Sequence, residues 1–315
     1  MTSTATAPAP TPSASGAAGR GALQRSGDWA RRAPLLPALI LTVIVTQLPF
    51  LVTIFISFIN WNAYYPDQIH FAGIDNFKTV VSDPDARHAI FVSVVLTAGV
   101  VAIALVLGLI AALLLDRKFI GRSVVRTMMI TPFLVVPVAA ALLWKHALYN
   151  PEYGLFNGLL TMVFGENAPQ VDWIGKFPLA SVMFAIVWQW TPFMMLILLA
   201  GLQSRPLDVV EAARIDGANA WQIFTNMTLP HLRPYIELAA LLGTIYVIQN
   251  FDHVFTITSG GLGTANLPYY IYQTFYTAHD YGLASAAGVI VVILTIIVAT
   301  IALRTVFSLF KEGGR

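Results

Sequence analysis

Eight side chains in two apolar runs of this chain are of types that can grip a polar ligand at membrane depth. Trp188, Gln189 and Trp190 lie in one run, and Tyr246, Gln249, Asn250, Asp252 and His253 in another. Polar groups are costly inside a bilayer, so their presence there points to function by default. Amides and a carboxylate can bond the hydroxyls of a neutral polyhydroxylated ligand, while aromatic faces cover its C–H surfaces. If the second run is a regular helix, Tyr246, Gln249, Asn250 and His253 share one face by three- and four-residue spacing.

Each residue also has a plainer reading. Tryptophan often anchors a helix end in the interfacial belt, but Trp188 and Trp190 lie within their run, so ligand contact by one of them is as well supported as anchoring. Gln189 and Asn250 can equally well bond across helices. Asp252, near the outer end, is expected to be solvated or paired with Lys145 or His146, and His253 to be structural. Glu237 is expected to cap the start of the fifth helix.

Membrane helices must position these groups. The 315 residues are 57% hydrophobic and only 11% charged, where soluble domains carry about 25% charge. A bilayer core about 30 Å thick takes about 20 helical residues. Six runs are long enough: Leu35 to Ile59, Ala89 to Leu115, Met128 to Leu148, Ser181 to Leu202, Tyr235 to Ile257 and Leu283 to Leu303. The fold expected is therefore an all-α membrane protein of six transmembrane helices occupying residues 35–310. Pro37, Pro49, Pro132, Pro137 and Pro192 predict kinks within it. Residues 1–34, rich in Ala, Pro, Thr, Ser and Gly, read as a disordered cytoplasmic tail, and residues 311–315 as a second, short one. A signal peptide is a poorer reading, because the first run is far longer than the apolar core of one and lacks a small-residue cleavage site.

Of the 18 Lys and Arg residues, all but Lys78, Arg87, Lys145 and Lys176 fall in the N-terminal tail, the second and fourth connections or the C-terminal end. The positive-inside rule then puts both termini and residues 203–234 in the cytoplasm. Within that segment Val209, Val210, Ala213, Ile215 and Ala218 form a partly apolar helical face, with Glu211, Arg214 and Asp216 more exposed. Gly217 and Asn219 predict a turn. Trp221, Ile223, Phe224 and Met227 then predict a second short helix, stopped by Pro230. A projecting helix, turn and helix suits a groove on a soluble partner, or equally a resting place on the lipid surface.

The spacing of Glu211-Ala212-Ala213, Gly217, Met227 and Leu229-Pro230 resembles the EAA motif of binding-protein-dependent ABC importer permeases. That resemblance implies a type I ABC importer permease fold. It also implies a coupling helix docked on a cytoplasmic ATPase through Glu211, Ala212, Ala213, Asp216 and Gly217. Met227 departs from the family's more frequent Ile but keeps an apolar anchor. The stretches FAGIDNFKTVVSDP (Phe71 to Pro84), LLDRKFIGRSVVRTMMITPFLVVPV (Leu114 to Val138) and WQWTPFMMLILLAGLQSRPLDVVEAARIDGA (Trp188 to Ala218) resemble the carbohydrate-uptake branch. In NFDHVFTITSGGLGTANLPYYIYQTFY (Asn250 to Tyr276), Leu262 stands where many sugar permeases have proline, and with the following GTANL this is more similar to sorbitol and mannitol permeases.

Implied partners are a second permease subunit, two ATPase subunits that hold ATP and magnesium, an extracytoplasmic solute-binding protein met by the outer loops, and membrane lipid. No cofactor is expected on this chain and no nucleic acid, since the net charge is only +2. An intramembrane enzyme is disfavoured, for there is no cysteine, no HExxH pair and no obvious Ser/His/Asp set at membrane depth, and with no Walker sequence the chain is not expected to hydrolyse ATP. The competing transport reading is an ion-coupled secondary carrier for a small polar solute, with Asp252 or Glu237 binding the ion. It leaves the EAA spacing unexplained.

Overall fold

The computed structural model describes residues 33–165 and 167–312, so the expected tail up to residue 32 and the last three residues lie outside it. The chain divides into two units, residues 1–53 and 54–315. The first unit contains the body of α1 (Leu36–Ser57). Thr42 and Thr46 each donate a hydroxyl to the carbonyl four residues back, at 2.8 and 2.7 Å. Their polar atoms thus make no demand on lipid.

In the second unit, β1 (Ile59–Asn60) pairs antiparallel with β2 (His70–Phe71), Ile59 opposite Phe71. Two helices follow, α2 (Asp75–Ser82) and α3 (Pro84–Asp116). At 1.5 Å per residue α3 is about 50 Å long, so it outruns a ~30 Å hydrocarbon core at its polar N-terminal end. Asp83 starts it by accepting the Asp85 amide at 2.9 Å. The same carboxylate accepts the Tyr270 hydroxyl at 2.7 Å. Burial, with the neighbouring Asp83 charge, pushes the Tyr270 hydroxyl up, so this tie stays protonated at any physiological pH.

The order continues with α4 (Arg122–Leu134), α5 (Pro137–Leu142, prolonged to Leu148 as a π-helix), α6 (Leu155–Phe164), α7 (Trp173–Lys176) and α8 (Pro178–Gln203). After these come α9 (Leu207–Ile215), α10 (Ala220–Ile223), α11 (Leu229–Val247) and α12 (Asp252–Thr258). The last two are α13 (Leu267–Tyr272) and α14 (Tyr281–Glu312). Among the described residues four helices can each cross a membrane: α1, α3, α8 and the part of α14 up to Arg304. The third and fifth expected spans are broken, α4 against α5 by 97° and the α10–α11 stretch against α12 by 53°. Sequence predicts a kink in the third span, at Pro132 and Pro137, and none in the fifth; the structure has a sharp break in each.

The outer connections are also more ordered than open loops. Residues 149–180 contain α6 and α7, and residues 259–281 contain α13, whose Leu267, Tyr269 and Tyr270 are buried. Inside the bundle α3 lies close against α8. A Cβ on Gly108 would sit 2.9 Å from both the Met194 Cβ and the Met195 backbone nitrogen. Small residues at 104, 108, 111 and 112 let the two backbones approach, and Met195, Leu198 and Leu199 fill what remains.

Candidate functional site

Both broken spans open on one cavity of about 330 Å³. Phe133, Val135 and Pro137 line it from the α4–α5 break, Gln189 and Trp190 from α8, and Tyr246 from α11. Gln249, Asn250, Phe251 and Asp252 complete it from the α11–α12 break. Irregular backbone is tolerated at membrane depth only where protein satisfies it or where it lines a cavity. Both conditions hold here. Pro137 has no N–H and disfavours helix at Val136, and Val135 and Val136 are extended with ψ of 134° each. The carbonyl of Val135 accepts Gln189 Nε2 at 2.7 Å. At the other break Asn266 Nδ2 donates to the carbonyl of Asn250.

These bonds use the amide donors and leave acceptors over. Gln189, only 4% exposed, has no partner for Oε1 among the described residues. Asn250 donates to His253 Nδ1 at 3.1 Å, and its Oδ1 likewise has no partner. Beside them Trp190 stacks on Tyr246, with centroids 5.4 Å apart and planes 27° apart. Phe133 meets Trp190 edge-on at 5.6 Å. The residues lining the cavity therefore carry two buried, unpartnered acceptors, one carboxylate and an aromatic wall. That combination accepts hydroxyl donors and covers apolar C–H faces.

Six of the eight residues singled out from sequence line this cavity, and two do not. Trp188 packs edge-on to Trp144 at 6.0 Å within the core, and His253 is fully buried behind Asn250. The single helical face expected for Tyr246, Gln249, Asn250 and His253 does not exist, because α11 ends at Val247. Lys145 donates to the carbonyl of Thr256 at 2.8 Å, and Asp252 is in none of the ion pairs found among the described residues. Thr256 lies in the last turn of α12, whose carbonyls lack helical partners and draw an ammonium. Glu237 caps nothing. It lies in mid-helix and pairs with Arg233 one turn back, at 2.8 Å. Phe133, Val135, Pro137 and Phe251 were missed, although for the first three the prolines flanking FLVV were the available signal.

The second region is the segment of residues 203–234 that the sequence places on the cytoplasmic side. Its spacing has a backbone meaning: Ala218 N–H bonds the carbonyl of Ala213 at 2.9 Å and Gly217 N–H that of Arg214 at 3.1 Å. This is the Schellman closure of α9, with Gly217 in the left-handed position at φ +89°. Asn219 then begins α10 through a capping box with Gln222. Motif glycine and asparagine thus stop one helix and start the next at a fixed angle. Glu211, Ala212, Asp216 and Gly217 are exposed and Ala213 is half-buried. Of the expected apolar face, Val210 is buried whereas Ile215 stands 87% exposed, and in the second short helix Trp221 is 71% exposed.

Pro230 does not stop the second helix. Phe224–Thr228 form a π-helix, in which the amide of Leu229 reaches back to Phe224, and the chain runs on into α11. The wider turn absorbs the proline's missing donor. Sequence also gave no hint of the joint beneath. Arg205 bonds the carboxylate of Asp116 at 2.8 Å, the hydroxyl of Thr228 at 2.8 Å and the carbonyl of Leu202 at 3.2 Å. It ties the ends of α3 and α8 to the root of the segment. Arg205→Met keeps the apolar stem but strands Asp116 and Thr228, so it should cost about 2 kcal/mol. A lowered unfolding midpoint of the purified protein checks this, and an unchanged midpoint counts against the joint.

Residues 104–310 match the family described as binding-protein-dependent transport system inner membrane components. A probable ABC transporter permease of Sinorhizobium fredii is 36% identical, with 89% of this chain and 89% of that protein covered. The trehalose/maltose transport system permease of Thermococcus litoralis is 34% identical, over 83% of this chain and 88% of its own. The trehalose transport system permease of Mycobacterium tuberculosis is also 34% identical, with 88% of each chain covered. In structure the chain resembles a bacterial ABC transporter involved in import of the acidic polysaccharide alginate. The TM-score is 0.76 at 21% identity, over 92% of this chain and 99% of that one.

Proposed function

We propose, since this chain belongs to the family of binding-protein-dependent transport system inner membrane components, that the solute it carries is a neutral di- or oligosaccharide. It is a permease subunit of an ABC importer, a multi-pass membrane protein and not an enzyme, with ATP hydrolysis on a separate chain. The ion-coupled carrier reading gives way to that assignment. The observation that carries the sugar reading is the pair of unpartnered acceptors, Gln189 Oε1 and Asn250 Oδ1, beside the stacked Trp190 and Tyr246. Ring hydroxyls donate to the first pair, and the C–H face of a pyranose lies against the second. Relatives named for trehalose and maltose transport support the same class.

Sorbitol or mannitol is the second reading, and it rests on Leu262 and the GTANL sequence. Those residues have structural work: Asn266 holds the Asn250 carbonyl at the second break. Thr264 Oγ1 bonds the carbonyl of Gly261 at 2.7 Å, Asn266 caps α13, and neither lines the cavity. In the proposed cycle a solute-binding protein delivers the sugar at the outer connections, and two ATPase subunits carrying ATP and magnesium close below. The segment with Glu211, Ala212, Ala213, Asp216 and Gly217 passes their motion to this chain and a second permease. The test is competition for uptake in the native host. Excess maltose or trehalose should block uptake of the labelled disaccharide while sorbitol and mannitol do not. The reverse order of competition restores the polyol reading.

A further inference from the structure

We propose that the cleft between α3 and α4 is a binding site for an anionic glycerophospholipid of the cytoplasmic leaflet. The cleft encloses about 680 Å³. Its walls are apolar, with Leu107, Ile110 and Leu114 on α3 and Met129 on α4, and Arg117 and Lys118 line the end where the two helices turn. Leu107, Ile110 and Leu114 remain 44%, 50% and 56% exposed, so the second unit does not fill the cleft itself. From Leu107 to Leu114 the wall runs about 10 Å along the axis, two-thirds of a leaflet in a ~30 Å core. An acyl chain fits that wall, with its phosphate at Arg117 and Lys118.

Charge selects the head group. Between Asp116 and Glu152 the chain has Arg117, Lys118, Arg122, Arg126 and Lys145, and no acid. Asp116 is already bound to Arg205, and none of the first four cations is in an ion pair found among the described residues. The turn itself carries apolar tips, Phe119 at 44% and Ile120 fully exposed, interleaved with these cations. Cations alternating with exposed apolar side chains match the lipid–water boundary, where anionic head groups attract them and hydrocarbon takes the tips. A soluble partner would leave the length of the apolar wall uncovered. Met129 lies one helical turn before Phe133, a residue of the cavity wall. A lipid seated in the cleft therefore bears on the helix that shapes the cavity.

Two measurements test this. The full-length protein, purified with whatever it assembles with, is titrated with phosphatidylglycerol or phosphatidylcholine of the same acyl chains and read by native mass spectrometry. Phosphatidylglycerol should be retained preferentially, and Arg117→Gln with Lys118→Gln should weaken that preference about 25-fold, about fivefold for each cation. Equal retention of the two lipids, or a preference unmoved by the double substitution, overturns the proposal in favour of ordinary boundary lipid. The second measurement keeps all cations in place: a photo-crosslinking residue at Val125, on the wall of the cleft, should yield an adduct of phospholipid mass in intact cells. A polypeptide adduct overturns the lipid reading.

Discussion

Replacing Gly217 by tryptophan should abolish uptake while leaving the purified chain folded. Gly217 holds φ at +89°, and a side chain there costs about 1–2 kcal/mol in backbone strain. Folding tolerates that against a total of 5–15 kcal/mol. Among the described residues, nothing beyond its chain neighbours lies within 4 Å of the added Cβ, so a clash of that atom inside the protein is not the reason for the loss. The indole would instead project from the turn, beside Asp216, Gln222 and Asn226, onto the surface proposed to meet the ATPase. Gly217→Ala separates the two effects, since it adds strain without bulk. Uptake should fall in that variant but remain measurable, with no change in copurifying subunits. Retained uptake in the tryptophan variant would remove the segment from the coupling role.

Replacing Gln189 by methionine should lower uptake roughly 100-fold. The side chain has two tasks: its amide donor holds the Val135 carbonyl at the first break, and its unpartnered oxygen is the acceptor proposed for a sugar hydroxyl. Methionine keeps the volume and ends both. A buried polar group left unpaired costs about 1–3 kcal/mol, and 1.4 kcal/mol is tenfold. Losses on both sides of the residue therefore reach about two orders of magnitude. Sugar binding by the purified protein should weaken in parallel with uptake. Unaltered uptake would mean that neither the break nor the ligand depends on this amide.

How much of this was legible in the sequence depended on the distance over which each feature is decided. Four of the six spans were legible as single helices, because about 20 apolar residues in a row suffice to define one, and runs such as Ala89 to Leu115 meet that locally. The motif segment was legible too, down to its turn, because Gly217 and Asn219 act through neighbours three to five residues away. The breaks were only half legible. Pro137 predicts a kink, but a bend of 97° survives because Gln189, 52 positions later in the chain, takes the freed carbonyl two residues before the proline. Extrapolating one helical period from Tyr246 to His253 failed for the same reason. No local rule could supply Arg205 with Asp116, residues 89 apart whose pairing exists only once α3 and α8 have packed. The π-helix at Phe224–Thr228 likewise hid Pro230's place inside a continuing helix.

The most direct test of the central claim is transport by proteoliposomes holding this chain with its copurifying subunits, with ATP supplied or withheld on the cytoplasmic face. Accumulation of a labelled disaccharide should require ATP and the solute-binding protein, and should be indifferent to imposed proton or sodium gradients. Accumulation driven by such a gradient without ATP would contradict the account, and would return Asp252 on the cavity wall to the position of an ion site.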